Sequence, residues 1–494
     1  MVDVLLTHSY HLPYDTKQIR KMQPYPPLGT LYAASALRAR GISVTVFDSM
    51  LVEPAAHFAK ALEIHRPRIV AVYEDDFNFL SKMCLTRMRE VAAEIAQSAQ
   101  SAGAIAIVHG SDATDNPTLF LANGFQYVLS GESEETLAQV CSALLRSRNI
   151  GEVDGLVRLD NAGVPVFSTR RLATNPGWQT LPASSRDLVD LEPYRAAWTA
   201  SHGYFSTSMV SSRGCPYRCN WCAKPISGNK FHQRAAADVA DEMLALKTTA
   251  GVQHIWFGDD VFALNAAWVQ QFAVEVTARN ASVPFKIQSR ADLLSEETVR
   301  ALRTAGCSEV WMGVESGSQT ILNAMDKGLK LQTVVAARER LKRAGIKACY
   351  FLQFGYPGES WEELQQTISF VLRTRPDDVG ISFSYPLPGT VFYERVQAEL
   401  GLKRNWIDSD DLSVMFKASH TTEFYHAVRE ALHAEVDSWS TPLGADALHT
   451  KELWRKVYEM EPDSRNPDEG FVASGLSDAS AFVSIQQLAP AAEG

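Results

Sequence analysis

The sequence predicts an α/β protein: an N-terminal doubly wound parallel sheet, then an open six-stranded partial barrel, then a mostly helical C-terminal region. Three observations predict this. Short apolar runs alternate with longer amphipathic segments from Val2 to about Ile150. A second alternation with six strand candidates runs from Ser206 to about Tyr393, and residues 400–465 read as mostly helical. Length and composition agree: 494 residues suggest about three domains, and 46% hydrophobic with 21% charged residues excludes disordered and collagen-like classes. The net charge of −10, without a dense basic run, argues against a nucleic-acid partner. No run approaches the roughly 18 apolar residues of a transmembrane helix. The start, MVDVLLTHSY, has neither a basic n-region nor an A-x-A site, so no secretory signal and a cytoplasmic location are expected.

Residues 1–150 are expected to form the first domain. Val2–Thr7 reads as a buried strand, Leu28–Arg40 as a helix closed by Gly41, and Ser43–Phe47 as a second strand. Arg68–Tyr73, Ala104–Val108 and Tyr127–Leu129 supply three more strands, with helices near Leu85–Ser98 and from Glu134 to Arg146. Short strands separated by helices predict a parallel sheet that binds ligands at its carboxyl strand ends. Those ends are His8–Tyr10, Glu74–Asn78, His109–Asp112 and Ser130–Glu132. The first strand is not followed by G-x-G-x-x-G, which argues against a nicotinamide cofactor.

Residues 151–200 read as a linker with a hairpin, Asp154–Arg158 and Val164–Ser168, around the turn Asp160-Asn161-Ala162-Gly163. The core is expected over 201–395. Its strands are Ser208–Ser211, His254–Phe257, Phe285–Gln288, Glu309–Met312, Ala348–Phe354 and Gly380–Ser384. Helices such as Ala235–Ala250, Glu296–Arg303 and Gln332–Arg343 separate them. Six units are too few for a closed eight-fold barrel, and chemistry is expected at the C-terminal strand ends. A helical region, 396–465, contains Glu423–Trp439 and Lys451–Glu459. The Ser/Ala/Gly/Pro-rich tail, 466–494, is expected to be poorly ordered.

Three of the seven cysteines sit in Cys215-Pro216-Tyr217-Arg218-Cys219-Asn220-Trp221-Cys222, directly after a strand. Clustered thiols in a chain of this composition point to metal before disulfide. Three thiolates on one loop suit three irons of a cubane, which leaves a fourth iron open to a bidentate small molecule. The competing reading is a zinc site with His202 or His232 as fourth ligand, although neither has zinc-finger spacing.

This loop, after the first strand of a six-fold βα unit, resembles that of the radical S-adenosylmethionine (SAM) superfamily. Further segments match at the later strand ends: Trp256-Phe257-Gly258-Asp259-Asp260-Val261-Phe262 after the second and Ser289-Arg290-Ala291-Asp292 after the third. Gly313-Val314-Glu315-Ser316-Gly317, with Met325-Asp326-Lys327-Gly328 downstream, resembles the fourth-strand signature. Phe354-Gly355-Tyr356-Pro357-Gly358-Glu359 and Tyr385-Pro386-Leu387-Pro388-Gly389-Thr390 resemble the fifth and sixth. The first domain is similar to the Rossmann-like cobalamin-binding domain of one large subgroup, through Pro26-Pro27-Leu28-Gly29-Thr30 and Gly131-Glu132-Ser133-Glu134. The resemblance spans about residues 1–395 and implies a partial (β/α)6 TIM barrel, a 4Fe-4S cluster, SAM and cobalamin. None of the twelve histidines has Asp two residues before it, so the cobalt-ligating D-x-H-x-x-G is absent. That absence is shared by the radical subgroup and also leaves open a domain that has lost cobalamin.

The resemblance implies Cys215, Cys219 and Cys222 as cluster ligands. Asp259, Asp260 and Glu315 are expected partners of the cationic amine and sulfonium, with helix capping as the alternative. Arg290 is expected to fork onto the SAM carboxylate, the alternative being an ion pair within the protein. Trp221 is expected to shield the cluster and pack by the adenine, or simply to fill core. Gly110, Ser111 and Gly131 sit where a corrin or its tail would approach backbone, or serve loop geometry alone. Cys84, Cys141 and Cys307 read as buried apolar residues, and Cys349 as core on the strand face it shares with the cavity candidate Gln353.

The expected activity is cobalamin-dependent radical methyl transfer to an unactivated carbon. The alternatives are a radical rearrangement, ring closure or carbon–carbon coupling, and a non-catalytic zinc or cobalamin binding module. Expected partners are a small-molecule, lipid or peptide substrate and an electron donor such as flavodoxin or ferredoxin. Trp406, Phe416, Phe424, Tyr425, Trp439 and Trp454 either wall an apolar substrate pocket or pack in the core.

Overall fold

The computed structural model describes residues 2–175, 177–178, 182–440 and 445–466. The expected tail, apart from Asn466, and Leu181 of the linker lie outside the described residues.

Among the described residues, fifteen strands form three sheets. The first sheet has the order β2-β1-β3-β4-β5-β6-β7, from β1 (Val4–Thr7), β2 (Val44–Phe47), β3 (Ile69–Tyr73), β4 (Ile105–His109), β5 (Tyr127–Leu129), β6 (Leu156–Leu159) and β7 (Pro165–Phe167). The five expected strands pair in parallel, with helices on both faces. Both faces are therefore apolar: Leu5, Val70, Val72 and Val108 enter one core, and Val4, Leu6, Ala71 and Ile107 enter the other. The hairpin expected in the linker instead extends this sheet, because β6 pairs antiparallel with β5 through Tyr127–Arg158 to Leu129–Leu156. The Asp160 carboxylate accepts from the Ala162 and Val164 N–H groups and closes the turn.

A two-stranded ribbon, β9 (Ser212–Arg213) with β10 (His232–Gln233), closes the base of the cysteine loop. The second large sheet follows β8 (Ser206–Met209), with β11 (His254–Phe257), β12 (Phe285–Ser289), β13 (Cys307–Glu315), β14 (Lys347–Phe354) and β15 (Asp378–Phe383). It runs β15-β14-β13-β12-β11-β8, entirely parallel, as the sequence predicts for an open barrel. The first barrel strand lies two residues earlier than expected, because Ser206 and Thr207 pair with His254 and Ile255.

One core cluster joins Tyr10, Leu12 and Leu31 of the first domain to Met209, Trp256 and Phe257 of the barrel. Tyr25 packs on Trp198 and Trp256 at ring-centroid distances of 5.3 and 4.8 Å, and the Trp198 indole N–H donates to the Pro24 carbonyl at 2.7 Å. The C-terminal helices Thr422–Ser438 and Ala445–Ser464 pack together, and the first covers β15 through Tyr425 and His426 against Phe383.

Candidate active site at the carboxyl ends of the barrel strands

A cavity of about 410 Å³ lies at the carboxyl ends of the barrel strands. Cys215, Cys219 and Cys222 all line it, on the loop between β9 and β10. The loop's shape is fixed locally. Gly214 has φ +83°, and a Cβ there would collide with the Lys230 carbonyl. Asn220 then pins the loop to three later strand ends. Its Nδ2 donates to the Ala324 carbonyl at 2.7 Å and to Asp326 Oδ2 at 2.9 Å. Its Oδ1 accepts from the Tyr356 hydroxyl at 2.8 Å, and its carbonyl from the Phe392 N–H at 3.0 Å.

Burial pushes the Cys222 thiol up to about 12; Lys224 opposes the shift, and Asp260, Cys219 and Cys215 add to it. Cys215 is raised as well, chiefly by burial. Thiols held protonated in this way become thiolates when a metal displaces the protons. Among the described residues, no group of three or more His, Cys, Asp and Glu is arranged to hold a single metal ion. Each thiolate of a cubane takes a different iron, so three cysteines of one loop that all line one cavity suit three corners of such a cluster. His202, a zinc candidate, instead engages the Met22 carbonyl at 2.9 Å, and His232 sits on β10 opposite Arg213 outside the cavity lining.

The strand ends deliver charged groups to the same cavity. At β13 the pairing with β14 shifts register between Gly313 and Glu315, and Glu315 takes φ +65°. This bulge aims the buried Glu315 carboxylate into the cavity, where Lys327 Nζ donates to Oε1 at 2.7 Å. Lys327 also lies 5.9 Å from the Trp221 ring. Gly313 leaves room for this pair, since a Cβ would stand 2.8 Å from Glu315 Oε1 and 2.9 Å from Lys327 Nζ. Arg290, after β12, lies over the Tyr217 ring at 3.8 Å and forks onto Asp292 at 3.0 and 3.2 Å. One fork of Arg290 is therefore used internally, leaving its buried Nη1 without a protein partner. Trp221 Nε1 and Gln353 Oε1, both on cavity-lining residues, are likewise unpartnered among the described residues. These orphaned donors and acceptors fit a polar cofactor such as SAM.

Two expectations about the carboxylates part company. Asp260 lines the cavity, and its Oδ1 pairs with Lys82 Nζ of the first domain at 2.5 Å while Oδ2 accepts from the Gly214 N–H at 3.1 Å. Burial alone would raise its pKa, but Lys82 and these bonds hold it below the usual range. Asp259, expected as a cofactor partner, does not line the cavity. Its buried carboxylate accepts from the Ser211 N–H at 3.0 Å, the Ser211 hydroxyl at 2.6 Å and the Ser212 hydroxyl, tying β11 to the strand before the cysteines. Burial outweighs those bonds and pushes its pKa up to about 6. Of the C-terminal aromatics only Trp406 lines the cavity; Phe416, Phe424, Tyr425 and Trp454 are buried core, and Trp439 is partly buried against it. Cys84, Cys141 and Cys307 are buried as expected, and so is Cys349.

The first sheet presents its carboxyl strand ends to the barrel. Arg213, two residues before Cys215, pairs with Glu134 Oε1, and its guanidinium lies 5.0 Å from the Phe77 ring and 4.9 Å from Trp178. Glu132 Oε2 accepts from the Asn175 N–H at 2.9 Å. The Gly131-Glu132-Ser133-Glu134 motif thus fastens the first domain to the connector and to the cysteine loop. Gly131 itself has φ +84°, and a Cβ would stand 2.6 Å from the Ala173 carbonyl. Its close backbone approach is to Ala173 of this chain, the loop-geometry alternative to a corrin contact. Gly29 lets its helix approach β3, since a Cβ would stand 3.0 Å from Asp75 Cα.

Gly110 lines a cavity of about 20 Å³ with Ser9, Glu74 and His109, and Ser111 lines one of about 40 Å³ with Asp76 and Lys82. A corrin is far larger than either cavity. The polar inventory does suit corrin amides: Asp76 Oδ1, Ser111 Oγ and Glu132 Oε1 are buried and without a hydrogen-bond partner among the described residues. The sequence signals missed Lys82 and Arg213, whose partners lie far away in the chain, and Asn220, which sits inside the quoted motif. Lys327 was visible within Met325-Asp326-Lys327-Gly328 without an assigned partner.

Residues 209–371 match the profile of the Radical SAM superfamily. The chain carries a radical SAM domain over those residues. It is 26% identical over 402 residues, 80% of this chain and 84% of the relative, to an uncharacterized methyltransferase of Pyrococcus horikoshii. Its fold is that of cobalamin-dependent radical SAM enzymes. The structure of OxsB with aqua-cobalamin and SAM matches with a TM-score of 0.70 at 17% identity, over 94% of this chain and 71% of that one. The methyltransferase TsrM of Kitasatospora setae, with cobalamin and a [4Fe-4S] cluster, matches with a TM-score of 0.65 at 21% identity, over 80% and 74%. Among the described residues no helix is long and apolar enough to cross a membrane.

Proposed function

We propose that this chain is a cobalamin-dependent radical SAM methyltransferase acting on an unactivated carbon of a small-molecule, lipid or peptide substrate. The observation that carries this reading is the single 410 Å³ cavity that gathers three cysteines, Arg290, Glu315 and Lys327 beneath a Rossmann-like sheet. The cluster and SAM, when bound, supply one-electron cleavage of a carbon–sulfur bond, and cobalamin supplies a methyl carrier. Cys215, Cys219 and Cys222 would hold the cluster. Arg290 Nη1 is the free donor for a carboxylate, and Glu315, already half-compensated by Lys327, offers its second oxygen to an ammonium. Asp260 has its charge satisfied by Lys82, so its role is to hold the cysteine loop against the first domain. Trp221, Trp311, Phe351 and Trp406 wall the cavity with aromatic surface that excludes water from a reactive intermediate. Gln353, at the carboxyl end of β14, offers its free Oε1 to a substrate donor.

The test is anaerobic reconstitution with iron and sulfide, addition of cobalamin and labelled SAM, and an electron donor such as flavodoxin or ferredoxin. Iron near four per chain, 5′-deoxyadenosine formation and label transfer from the methyl group are expected. Zinc instead of iron in the active protein would overturn the reading. A second reading is favoured by the 20 and 40 Å³ cavities at the first sheet: a radical enzyme without cobalamin, whose first domain docks on the barrel. It predicts deoxyadenosine formation with no retained cobalamin after gel filtration. Where cobalamin is retained, the missing D-x-H-x-x-G predicts a cob(II)alamin paramagnetic resonance spectrum without nitrogen splitting from an axial ligand.

A further inference from the structure

The cavity at the carboxyl ends of the barrel strands is uneven in charge. Its charged lining residues are Lys82, Lys224, Asp260, Arg290, Glu315 and Lys327. They come from the first domain, the cysteine loop and the ends of β11, β12 and β13. From Phe351 onward in the chain, no charged side chain among the described residues lines it. β14 and β15 stand at one edge of the open sheet, and β8, which leads into the cysteines, stands at the other. Charge is thus gathered on the cysteine side, and the β14–β15 side is neutral.

Two aromatic pairs shape the neutral side. Trp311 stacks on Phe351 with ring centroids 4.7 Å apart and an interplanar angle of 27°. Both are only partly buried, and both line the cavity. Gly380 gives them room, since a Cβ there would stand 3.0 Å from Phe351 Cδ1 and 3.1 Å from Trp311 Cζ3. Tyr385 packs edge-on against Trp406 at 4.5 Å. The Trp311 indole N–H donates to Glu309 Oε1 at 2.6 Å and that of Trp406 to the Ser413 carbonyl at 2.8 Å, so both indoles offer a ligand only ring surface. The Tyr385 hydroxyl accepts from Asn405 Nδ2 at 2.9 Å. Beside these rings stands Gln353, whose side chain is buried. Its Nε2 donates to Ser384 Oγ at 3.1 Å, and its Oε1 has no hydrogen-bond partner among the described residues. A buried amide oxygen left without a donor is costly, and a ligand O–H or N–H would satisfy it.

We propose that the β14–β15 side of the cavity seats the substrate, and that it takes an uncharged, planar apolar group carrying an O–H or N–H that Gln353 accepts. The proposal rests on the radical SAM reading, in which Arg290 and Glu315 hold the cofactor on the cysteine side. A charged group on the neutral side would be buried without a counter-charge. Lys82, Lys327 and Arg290 are paired with Asp260, Glu315 and Asp292, and Lys224 folds back onto Asn229 Oδ1 of its own loop at 2.8 Å. The stacked rings instead provide a flat apolar surface, and the one unmet polar demand beside them is for a donor.

The experiment is calorimetric titration of the anaerobically reconstituted full chain, with SAM present and no reductant, at neutral pH. The probes are phenol, anisole, benzoate and benzylamine. Phenol should bind saturably and about tenfold more tightly than anisole, which keeps the ring and loses the donor. Benzoate, an anion, and benzylamine, a cation, should not bind. Gln353→Leu should bring phenol down to the anisole level and leave anisole unchanged. Gly380→Ala, whose Cβ meets both stacked rings, should weaken phenol and anisole alike. Iron content and SAM retention are measured on the same samples. Their absence in the parent would refute the radical reading and this seat with it. With both retained, the radical reading stands, and four results would overturn the seat alone: no saturable binding of phenol, equal affinity for phenol and anisole, binding of benzoate or benzylamine as tight as that of phenol, or an unchanged phenol affinity in Gln353→Leu.

Discussion

The Arg213–Glu134 pair allows a quantitative test of how the two domains are joined. Both side chains are almost fully buried, at 4% and 0% exposure. Removing one partner of a buried pair leaves an uncompensated charge and costs about 3–5 kcal/mol. Arg213→Met strands Glu134 and the buried Asp76 together, and it also removes the contacts with Phe77 and Trp178, worth about 0.5–2 kcal/mol each. Glu134→Gln is milder. The amide oxygen can still accept from Arg213, and Asp76, a carboxyl that burial holds well above its usual range and that this guanidinium lowers, is the acid left beside it. A loss of about 1.5–3 kcal/mol is expected there. The double variant Arg213→Met/Glu134→Gln should recover part of the Arg213→Met loss. Urea unfolding followed by circular dichroism, with all three variants and the parent, measures the cycle. Equal losses in the two single variants, or an Arg213→Met loss below about 1 kcal/mol, would mean that the pair is hydrated and the domains are not joined through it.

Three further outcomes are expected. Cys215→Ala, Cys219→Ala and Cys222→Ala should each lose the cluster's iron and visible absorbance and abolish 5′-deoxyadenosine formation, with the circular dichroism of the fold intact; deoxyadenosine formation surviving in all three would remove the radical assignment. Asn220→Ala removes the acceptor of the Tyr356 hydroxyl and the donor to the Ala324 carbonyl and the Asp326 carboxylate, and should cost about 1–3 kcal/mol by urea unfolding, more than Tyr356→Phe. Glu359 is buried with a pKa pushed up to about 8 by desolvation, against a bond from the Gly355 N–H. Its folded value lies above its unfolded one, so the folded state is penalised as pH rises from about 4.5 to about 8. Glu359→Gln should therefore match the parent at pH 5 and exceed it by a few kcal/mol at pH 9, and parallel pH profiles would refute the buried carboxyl.

Much of the architecture was legible because parallel strands covered on both faces read as unbroken apolar runs, as in Ile69–Tyr73, and because Gly and Asp mark their ends. The cysteine spacing, Arg290, Glu315 and Gln353 were visible for the same reason: each lies at or just beyond the carboxyl end of a strand that the pattern reveals. What was not legible depends on contacts distant in the chain. Asp160-Asn161-Ala162-Gly163 announces a hairpin, but not that its first strand joins β5. Asp259 and Asp260 are adjacent in the sequence, and only the packing shows that one turns back to Ser211 and Ser212 while the other faces the cavity. Gly131 signals a tight backbone approach without saying whether a ligand or Ala173 makes it.

The same distant contacts explain how the first domain can act on the barrel's chemistry. Lys82 reaches Asp260, whose other oxygen holds the Gly214 N–H, and Arg213 reaches Glu134, so both ends of the short stretch before Cys215 are fastened to the first sheet. Asn220 fastens the far side of the loop to Ala324, Asp326 and Tyr356 within the barrel. The cysteine loop is thus suspended between two bodies. Lys82 and the Gly214 N–H share the two oxygens of one carboxylate, so a displacement of Lys82 bears on Gly214 through Asp260. Lys82 therefore stands where occupancy of the first domain would meet the geometry of the cysteines. Lys82→Met should loosen that connection while leaving Asp260 bonded to Gly214, which separates the loop's own stability from its coupling to the sheet.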